Sequence, residues 1–303
     1  MTYRRCALAV LMVAIAALTP VIAARQVAKA GERACDRACL RGLLTEYLDA
    51  LAAHAPNRLP LARSVRFTED TVEKRLGEGL WQTAGKLRPY RQDILDVRAG
   101  VAGTHTIVEE NGAPVLLAVR LKVLDRTIAE VETMVVRSRE EGMIFQPDAF
   151  TQPNAAMSVE PVAGQRNTRE EAIRIAGLYP AGLRAGSFVT VDVPFASDAY
   201  RFENGRLMAG PGCTFLPGCT NIKTQRIPTL TEVAARVAAV DEELGIVWLR
   251  MDFGAGSVPD TTKSLIVWEA FKVHGGQIHA VEALMEVMPR GSPSGWEAAG
   301  EAR

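Results

Sequence analysis

One stretch of this chain recurs 150 residues later, and this repeat constrains the fold more than any other feature. Residues 120–132 align without gaps on residues 270–282. The identical positions are Lys122, Val123, Ile128, Val131 and Glu132 with Lys272, Val273, Ile278, Val281 and Glu282. Each copy has the pattern of two strands joined by a tight turn, so the repeat predicts two equivalent hairpins. The alternative is that two amphipathic hairpins look alike by chance.

The same order of elements surrounds both hairpins. Leucines at three- and four-residue steps predict a helix from Ala34 to Ala53. Thr168 and Glu171 form a capping-box pattern that predicts a second helix ending near Leu183. We therefore predict two lobes, residues 35–140 and 168–288. The Pro- and Asn-containing residues 141–167 are predicted to be a linker, and residues 289–303 a flexible tail.

The first residues are typical of a secretory signal peptide. Arg4 and Arg5 precede an apolar run from Ala7 to Leu18, and small residues follow Pro20. This run is about a dozen residues long, whereas a membrane-spanning helix needs about 20. We expect cleavage near Ala23 or Ala24, which predicts a secreted or periplasmic protein. An uncleaved membrane anchor is the alternative.

Charge and motifs exclude several classes of function. Removing residues 1–24 leaves 35 − 2 = 33 basic against 35 acidic side chains, a net charge of −2 that predicts no nucleic-acid partner. No second long apolar stretch follows, so no membrane contact is expected after export. The four histidines are scattered, and nucleophile-elbow, phosphate-loop and dinucleotide motifs are absent from the sequence. We therefore predict no metal and no cofactor.

Four cysteines remain after the predicted cleavage, namely Cys35, Cys39, Cys213 and Cys219. An even count in an exported protein favours disulfides. Three connectivities are possible, and the two local pairs are preferred because Pro217 and Gly218 can turn the second loop back on itself. A four-cysteine zinc site is the alternative, although neither pair has the usual two-residue spacing.

Several short motifs lie along the chain, namely Leu59-Pro-Leu-Ala62, Val65-Arg-Phe-Thr68, Gly77-Glu-Gly-Leu-Trp81, Arg120-Leu-Lys-Val123, Glu269-Ala-Phe-Lys-Val273, Gly275-Gly276 and Ser294-Gly-Trp296. With these motifs the chain resembles the nuclear-transport-factor-2-like (NTF2-like) superfamily, which includes the SnoaL-like cyclases, and in particular its secreted bacterial and fungal members. The resemblance covers most of residues 35–296. It implies an α+β fold with two NTF2-like lobes, each a curved and mostly antiparallel sheet packed on N-terminal helices. It implies no single function, since this fold hosts both enzymes and binding proteins.

The hairpins supply the candidate catalytic groups. A two-residue turn at Gly275-Gly276 places Glu269 opposite Glu282 on an apolar face. In the first hairpin the same reasoning places Glu132 opposite Val119. Two facing carboxylates cannot both ionise easily, so one pKa should rise into the range of acid–base catalysis. His105 is a further candidate acid or base.

This catalytic interpretation has structural alternatives. A one-residue shift at the turn would move Glu282 to the other face of the sheet from Glu269. Pairing with Lys or Arg would make either carboxylate structural. The candidate ligand-binding side chains are aromatic, and each of them could instead fill a core: Tyr47, Trp81, Tyr90 and Phe271.

Two functions remain compatible with the sequence. The first is an exported protein that binds a small, largely apolar organic molecule, in its enzymatic form a cofactor-free lyase or isomerase. The second is a non-catalytic binding or assembly module whose lobes form an internal pseudo-dimer. A carboxylate or His105 lining a dry cavity favours the first, and charges neutralised between the lobes favour the second. Beyond this internal pseudo-dimer, the sequence does not indicate an oligomeric state.

Overall fold

Each copy of the repeat lies at the centre of a six-stranded sheet. The computed structural model describes residues 34–225, 227, 230, 232–293 and 296. The first sheet contains β1 (Leu61–Glu69), β2 (Val72–Lys74), β3 (Ala84–Asp96), β4 (Val101–Glu110), β5 (Ala113–Leu124) and β6 (Thr127–Val136). The second contains β7 (Phe195–Glu203), β8 (Arg206–Ala209), β9 (Val233–Asp241), β10 (Ile246–Phe253), β11 (Lys263–His274) and β12 (Gln277–Pro289).

The two sheets have the same topology. Their strand orders are β2-β1-β6-β5-β4-β3 and β8-β7-β12-β11-β10-β9, which become identical when six is added to each label of the first. The pairs β1–β6 and β7–β12 are parallel, and the other neighbours are antiparallel. We call the part of the chain from 35 to 140 the first half and the part from 168 to 288 the second half.

Two long helices lie where the sequence predicts them. α1 (Arg37–Ala52) begins after Asp36, whose carboxylate accepts a hydrogen bond from the backbone N–H of Cys39. α2 (Arg139–Gly142) and α3 (Ala155–Ser158) are single turns in the segment between the halves. α4 (Arg169–Ala185) begins at the predicted capping box of Thr168 and Glu171. It ends at Gly186, whose φ of 68° is the left-handed conformation that glycine adopts readily.

Each sheet buries both of its faces, one against a helix and one against the other sheet. Leucines of α1 form one core with β4–β6 of the first sheet, and α4 forms another with β10–β12 of the second. A third core lies between the sheets and combines side chains of β3–β6 with side chains of β9–β12. The layers are therefore helix, sheet, sheet and helix.

The predicted fold class is wrong. The described residues are 44% strand and 22% helix, with two six-stranded sheets and four α-helices, so the protein is mostly β. The predicted arrangement, an α+β fold with helices packed on a sheet in two NTF2-like lobes, is not what the structure contains. The described residues from Cys35 onward form one compact unit. The physical reason is that one helix covers only one apolar face of each sheet, and the remaining faces cover each other.

The segment between the halves is packed against both sheets. Phe150 contacts Tyr90 of β3 with ring centroids 4.7 Å apart, and Met157 of α3 is fully buried. In the predicted tail, Trp296 is buried and donates a hydrogen bond to the Thr68 hydroxyl at 2.8 Å. The predicted signal peptide, residues 1–24, lies outside the described residues, as do Ser294 and Gly295.

Both hairpins contain a β-bulge at the same repeat position. In the second hairpin Val273 pairs with Ile278 but Lys272 pairs with Ala280, so His279 is an extra residue. In the first hairpin the extra residue is Ala129, 150 positions earlier. One extra residue reverses which side chains share a face beyond it.

Because of this bulge, the prediction that Glu269 lies opposite Glu282 is wrong. Glu269 pairs with Ala283, and Glu282 pairs with Ala270. Glu269 therefore faces α4, whereas Glu282 faces the other sheet. In the first hairpin Glu132 pairs with Arg120 rather than Val119.

The two preferred disulfides are confirmed. Cys35–Cys39 and Cys213–Cys219 have Cα–Cα distances of 5.2 and 5.7 Å. These disulfides are compatible with an extracellular location. Within the described part of the chain, the search for an α-helix of membrane-spanning length and hydropathy found none.

Candidate functional site

Reciprocal ion pairs join the two halves. Arg37, at the start of α1, binds the Asp241 carboxylate of β9 through two contacts of 2.8 and 2.9 Å. Arg169, at the start of α4, binds the Asp96 carboxylate of β3 at 2.6 and 3.0 Å. Each aspartate also accepts a backbone N–H from the other half. This exchange of equivalent contacts is the pattern of a two-fold symmetric dimer interface.

Glu132 lies between the sheets and is neutralised there. Its carboxylate accepts hydrogen bonds from Arg236 of β9 at 2.7 and 2.9 Å, and Arg120 is 3.8 Å away. Burial raises the pKa of Glu132, and the charges of Arg236 and Arg120 oppose this increase. The structure thus gives this candidate catalytic group a partner in the other half.

His105 also lies between the sheets. It is 1% exposed, and its Nε2 accepts a hydrogen bond from the Trp248 indole at 3.0 Å. Burial lowers the pKa of His105 to about 3, so the ring is neutral at physiological pH. Trp248 packs this closely because β4 carries glycine at position 103, where a Cβ would lie 2.3 Å from the indole.

Glu269 belongs to a closed polar cluster under α4. The guanidinium of Arg201 donates hydrogen bonds to the Tyr179 hydroxyl at 3.1 Å and to Gln225 at 2.9 Å, and it lies 2.8 Å from Glu203. Burial raises the pKa of Glu269 to about 8, while the charge of Arg201 lowers it. Glu269 is 3% exposed, so it is a tuned carboxyl group without direct access to solvent.

Glu282 belongs to a different network, on the face of the second sheet that points toward the first. Its Oε1 accepts hydrogen bonds from Asn154 at 2.6 Å and from the Tyr200 hydroxyl at 2.9 Å. Burial raises the pKa of Glu282, and these two donors lower it. Burial raises the pKa of Tyr90, and the negative charge of Glu282 raises it further. The buried Tyr90 hydroxyl has no hydrogen-bond partner within the described structure. Two predicted site residues, Tyr90 and Glu282, are therefore neighbours.

An open groove lies next to this network, between α3 and the end of the second hairpin. Its volume is about 420 Å³, within the range of small-molecule sites. The groove is defined here by Ala155, Val159, Val162, Tyr200, His274 and His279. Its outer wall is apolar, since Val159 and Val162 are 62% and 66% exposed. Tyr200 is shared by the groove and the Glu282 network.

The bulge of the second hairpin shapes the floor of the groove. His279, the extra residue, stacks on His274 with ring centroids 3.6 Å apart. Burial and the neighbouring His279 lower the pKa of His274. Its Nδ1 is buried and has no hydrogen-bond partner in the part of the chain that the structure describes. The equivalent residues of the first hairpin are Leu124 and Ala129, so this imidazole pair is specific to the second half.

Lys272 also lines the groove, but the repeat indicates a structural role for it. Its ammonium group donates to the carbonyls of Val159 and Leu244, both at 2.5 Å. Lys122, its equivalent, donates to the carbonyl of Ala99 at the corresponding turn. Burial lowers the pKa of Lys272 to about 8. A lysine that satisfies turn carbonyls in both halves is explained by folding alone.

The other predicted ligand-binding residues fill the two helix-facing cores. Tyr47 and Trp81 meet edge to face at 5.3 Å in the first core, and Phe271 meets Tyr179 at 5.0 Å in the second. In the described residues no group of three or more His, Cys, Asp and Glu side chains is placed to hold a metal ion.

Sequence reasoning missed most of the groove. Asn154 and α3 belong to the segment predicted as a linker, and Tyr200 was not among the predicted site residues. The signal that could have revealed the site is the contrast between His274 and His279 and their equivalents, Leu124 and Ala129.

Comparisons with known proteins name no activity. A family model described as "Domain of unknown function (DUF8021)" matches residues 165–285. No curated protein matches the chain. A solved structure, a de novo designed protein with curved beta-sheet, is 17% identical over 33% of this chain and 87% of its own, with a TM-score of 0.28. This likeness is too weak to carry an argument. The resemblance to secreted NTF2-like proteins stays a prediction.

Proposed function

We propose that this chain is an exported small-molecule-binding protein whose site is the groove of the second half. The observation that carries the proposal is the contact between an open groove with an apolar outer wall and the Tyr200–Glu282–Asn154 network. Glu160, Asp198 and Lys272 add charged groups to the lining of the groove. The other predicted acid–base groups lie in closed positions: Glu132 is paired with arginine, His105 is bound to Trp248, and Glu269 lies under α4. The proposed ligand is a small, largely apolar organic molecule with a polar group that meets Tyr200.

The proposal assigns a scaffold role to the first half. The reciprocal pairs Arg37–Asp241 and Arg169–Asp96 support an internal pseudo-dimer in which each half buries one sheet face of the other. This arrangement is the second function considered from the sequence, and it favours a binding module over an enzyme. The export signal in residues 1–24 and the absence of a nucleic-acid partner stay predictions.

In an enzymatic form of the site, Glu282 would act through Tyr200. The Tyr200 hydroxyl donates its proton in a hydrogen bond to the Glu282 carboxylate, and this makes the phenol oxygen a better acceptor toward a donor group of a bound molecule. Glu282→Gln keeps the shape but removes the titrating group. The variant should therefore bind the ligand and lose any turnover.

The test is a ligand-observed NMR screen of small aromatic and aliphatic fragments, with amide shifts recorded on the protein. We expect the perturbed amides to include those of Tyr200, His274 and His279. Val159→Trp fills the groove and should abolish binding of the hits. Val97→Trp, at another exposed valine, should not. Hits that bind Val159→Trp and wild type equally well would refute the proposed site.

A further inference from the structure

Two carboxyl groups, one from each half, lie close together at the boundary between the halves and away from the groove. Asp70 is in the turn between β1 and β2, and Glu286 is on β12. Both line a cavity of about 10 Å³, which is room for one water molecule. Glu286 is 5% exposed, and its Oε2 has no hydrogen-bond partner among the described residues.

The two carboxyl groups are within hydrogen-bonding reach of each other. Asp70 already accepts the backbone N–H of Val135 at 2.8 Å and is 3.3 Å from the guanidinium of Arg137. Ionised carboxylates can only accept hydrogen bonds, so two of them in contact have no donor between them. One proton on Glu286 supplies that donor and satisfies both groups.

Nearby bases do not remove the need for this proton. Arg137 is the cation closest to Asp70, and it also contacts Glu110 at 2.7 Å and Glu69 at 3.9 Å. The remaining charged side chains around the cavity and the Asp70 turn are already paired, namely Lys74 with Glu69, Glu141 with the backbone of Arg137, Arg236 with Glu132, and Arg250 with Asp252.

The pKa directions agree with the geometry. Burial raises the pKa of Glu286, and the negative charges of Asp70 and Glu141 raise it further. Burial and the charge of Glu69 raise the pKa of Asp70.

The turn that carries Asp70 is strained. Asp70 and Thr71 have φ angles of 51° and 68°, and a β-branched residue rarely adopts a positive φ. Such a turn persists only when its surroundings hold it. The contact to Glu286 in the other half is one of the interactions that hold it.

We propose that Asp70 and Glu286 share one proton. This shared proton holds the turn between β1 and β2 against β12, so the contact between the halves depends on pH. A carboxyl group with a raised pKa in the folded state stabilises the fold fully below its unfolded pKa of about 4.3. That stabilisation is lost as the pH rises toward the folded pKa. The contact between the turn and β12 is therefore stable in acid and is lost in alkali.

The test combines a titration with hydrogen exchange. Carboxyl ¹³C NMR of the wild-type protein should show Glu286 protonated at neutral pH. Amide exchange of residues 70–74, corrected for the intrinsic effect of pH, should rise by up to about tenfold per pH unit between pH 6 and pH 9, because opening of the turn releases the proton. Glu286→Gln and Asp70→Asn each supply an N–H donor in place of the proton, so both should remove this increase.

Glu46→Gln, at an exposed carboxyl group of α1, is the control and should behave as wild type. A Glu286 carboxyl that is already ionised at pH 6 would overturn the proposal, and so would an exchange increase that persists in both amide variants. If a variant fails to fold, the wild-type titration alone decides.

Discussion

Glu132 and Glu282 occupy the same position of the repeat, yet the structure uses them differently. Glu132 is bound by the guanidinium of Arg236 from the opposite half. Glu282 is bound by neutral donors, Asn154 and Tyr200, beside an open groove. Equivalent backbone positions thus support an ion pair between the halves in one case and a candidate ligand site in the other. What differs is the partner that the rest of the chain places opposite each carboxylate.

The helix-facing sides of the sheets show a second contrast. Val119 of the first half lies in an apolar core, whereas its equivalent Glu269 is buried beside Arg201 and Tyr179. The two lysines, Lys122 and Lys272, have the same role in both halves. The repeat therefore preserves what builds the hairpins and varies what faces their cores and the groove.

The largest predicted effect concerns the reciprocal ion pairs. Asp96→Asn and Asp241→Asn should each lower the free energy of unfolding by about 3 kcal/mol, because each neutralises a buried carboxylate that accepts two arginine hydrogen bonds and one backbone N–H. Each arginine keeps a second carboxylate nearby, Glu243 for Arg37 and Glu242 for Arg169. Since the two pairs are equivalent, the two losses should be similar. Urea unfolding monitored by tryptophan fluorescence measures them. The control is Glu73→Gln at the exposed pair with Arg66, which should cost less than about 1 kcal/mol. A large difference between the two aspartates would break the symmetry argument.

The next effect is a pH dependence specific to the second half. The pKa of Glu269 is raised in the folded state to about 8, so its contribution to stability is complete below about pH 4.3 and is lost as the pH rises to 8. Glu269→Gln should reduce the loss of stability between pH 5 and pH 8 by about 1–3 kcal/mol. Unfolding free energies at a series of pH values test this. Equal slopes in wild type and variant would mean that Glu269 titrates normally.

Replacement of the two equivalent lysines should lower the free energy of unfolding by moderately different amounts. Lys272→Met leaves the carbonyls of Val159 and Leu244 without this donor and should cost about 2 kcal/mol. Lys122→Met leaves only the carbonyl of Ala99 without it and should cost about 1 kcal/mol. Thermal unfolding of the two variants ranks them. The opposite ranking would contradict the role of Lys272 in anchoring the segment before the second half.

The smallest predicted effect on stability is at Glu282. Glu282→Gln keeps an oxygen that accepts from Asn154 and Tyr200, so the unfolding free energy should change by less than about 1 kcal/mol. Glu132→Gln weakens a charged pair and should cost about 1–2 kcal/mol. Parallel denaturation curves compare the two equivalent positions. A greater cost at Glu282 would make its network structural rather than functional.

The sequence predicted the local features that depend on a few neighbouring residues. These are the two long helices, the hairpin turn at Gly275-Gly276, the repeat and both disulfides. The prediction of which side chains face the carboxylates was wrong. One unpaired residue after each turn, His279 or Ala129, shifts the register of the two strands. The contacts between halves, such as Arg37 with Asp241, join residues 204 positions apart, so no local pattern could indicate them. The groove was missed because a segment predicted as a linker forms one of its walls.

The central claim is that a ligand binds in the groove and meets Tyr200. The direct measurement is the dissociation constant of the tightest NMR fragment for wild type, Tyr200→Phe and Tyr90→Phe. Loss of one hydroxyl contact to the ligand should weaken binding to Tyr200→Phe by about tenfold. Tyr90→Phe removes a neighbouring hydroxyl that lies outside the groove and should leave the constant unchanged. Unchanged binding to Tyr200→Phe, or weakened binding to Tyr90→Phe alone, would contradict this account.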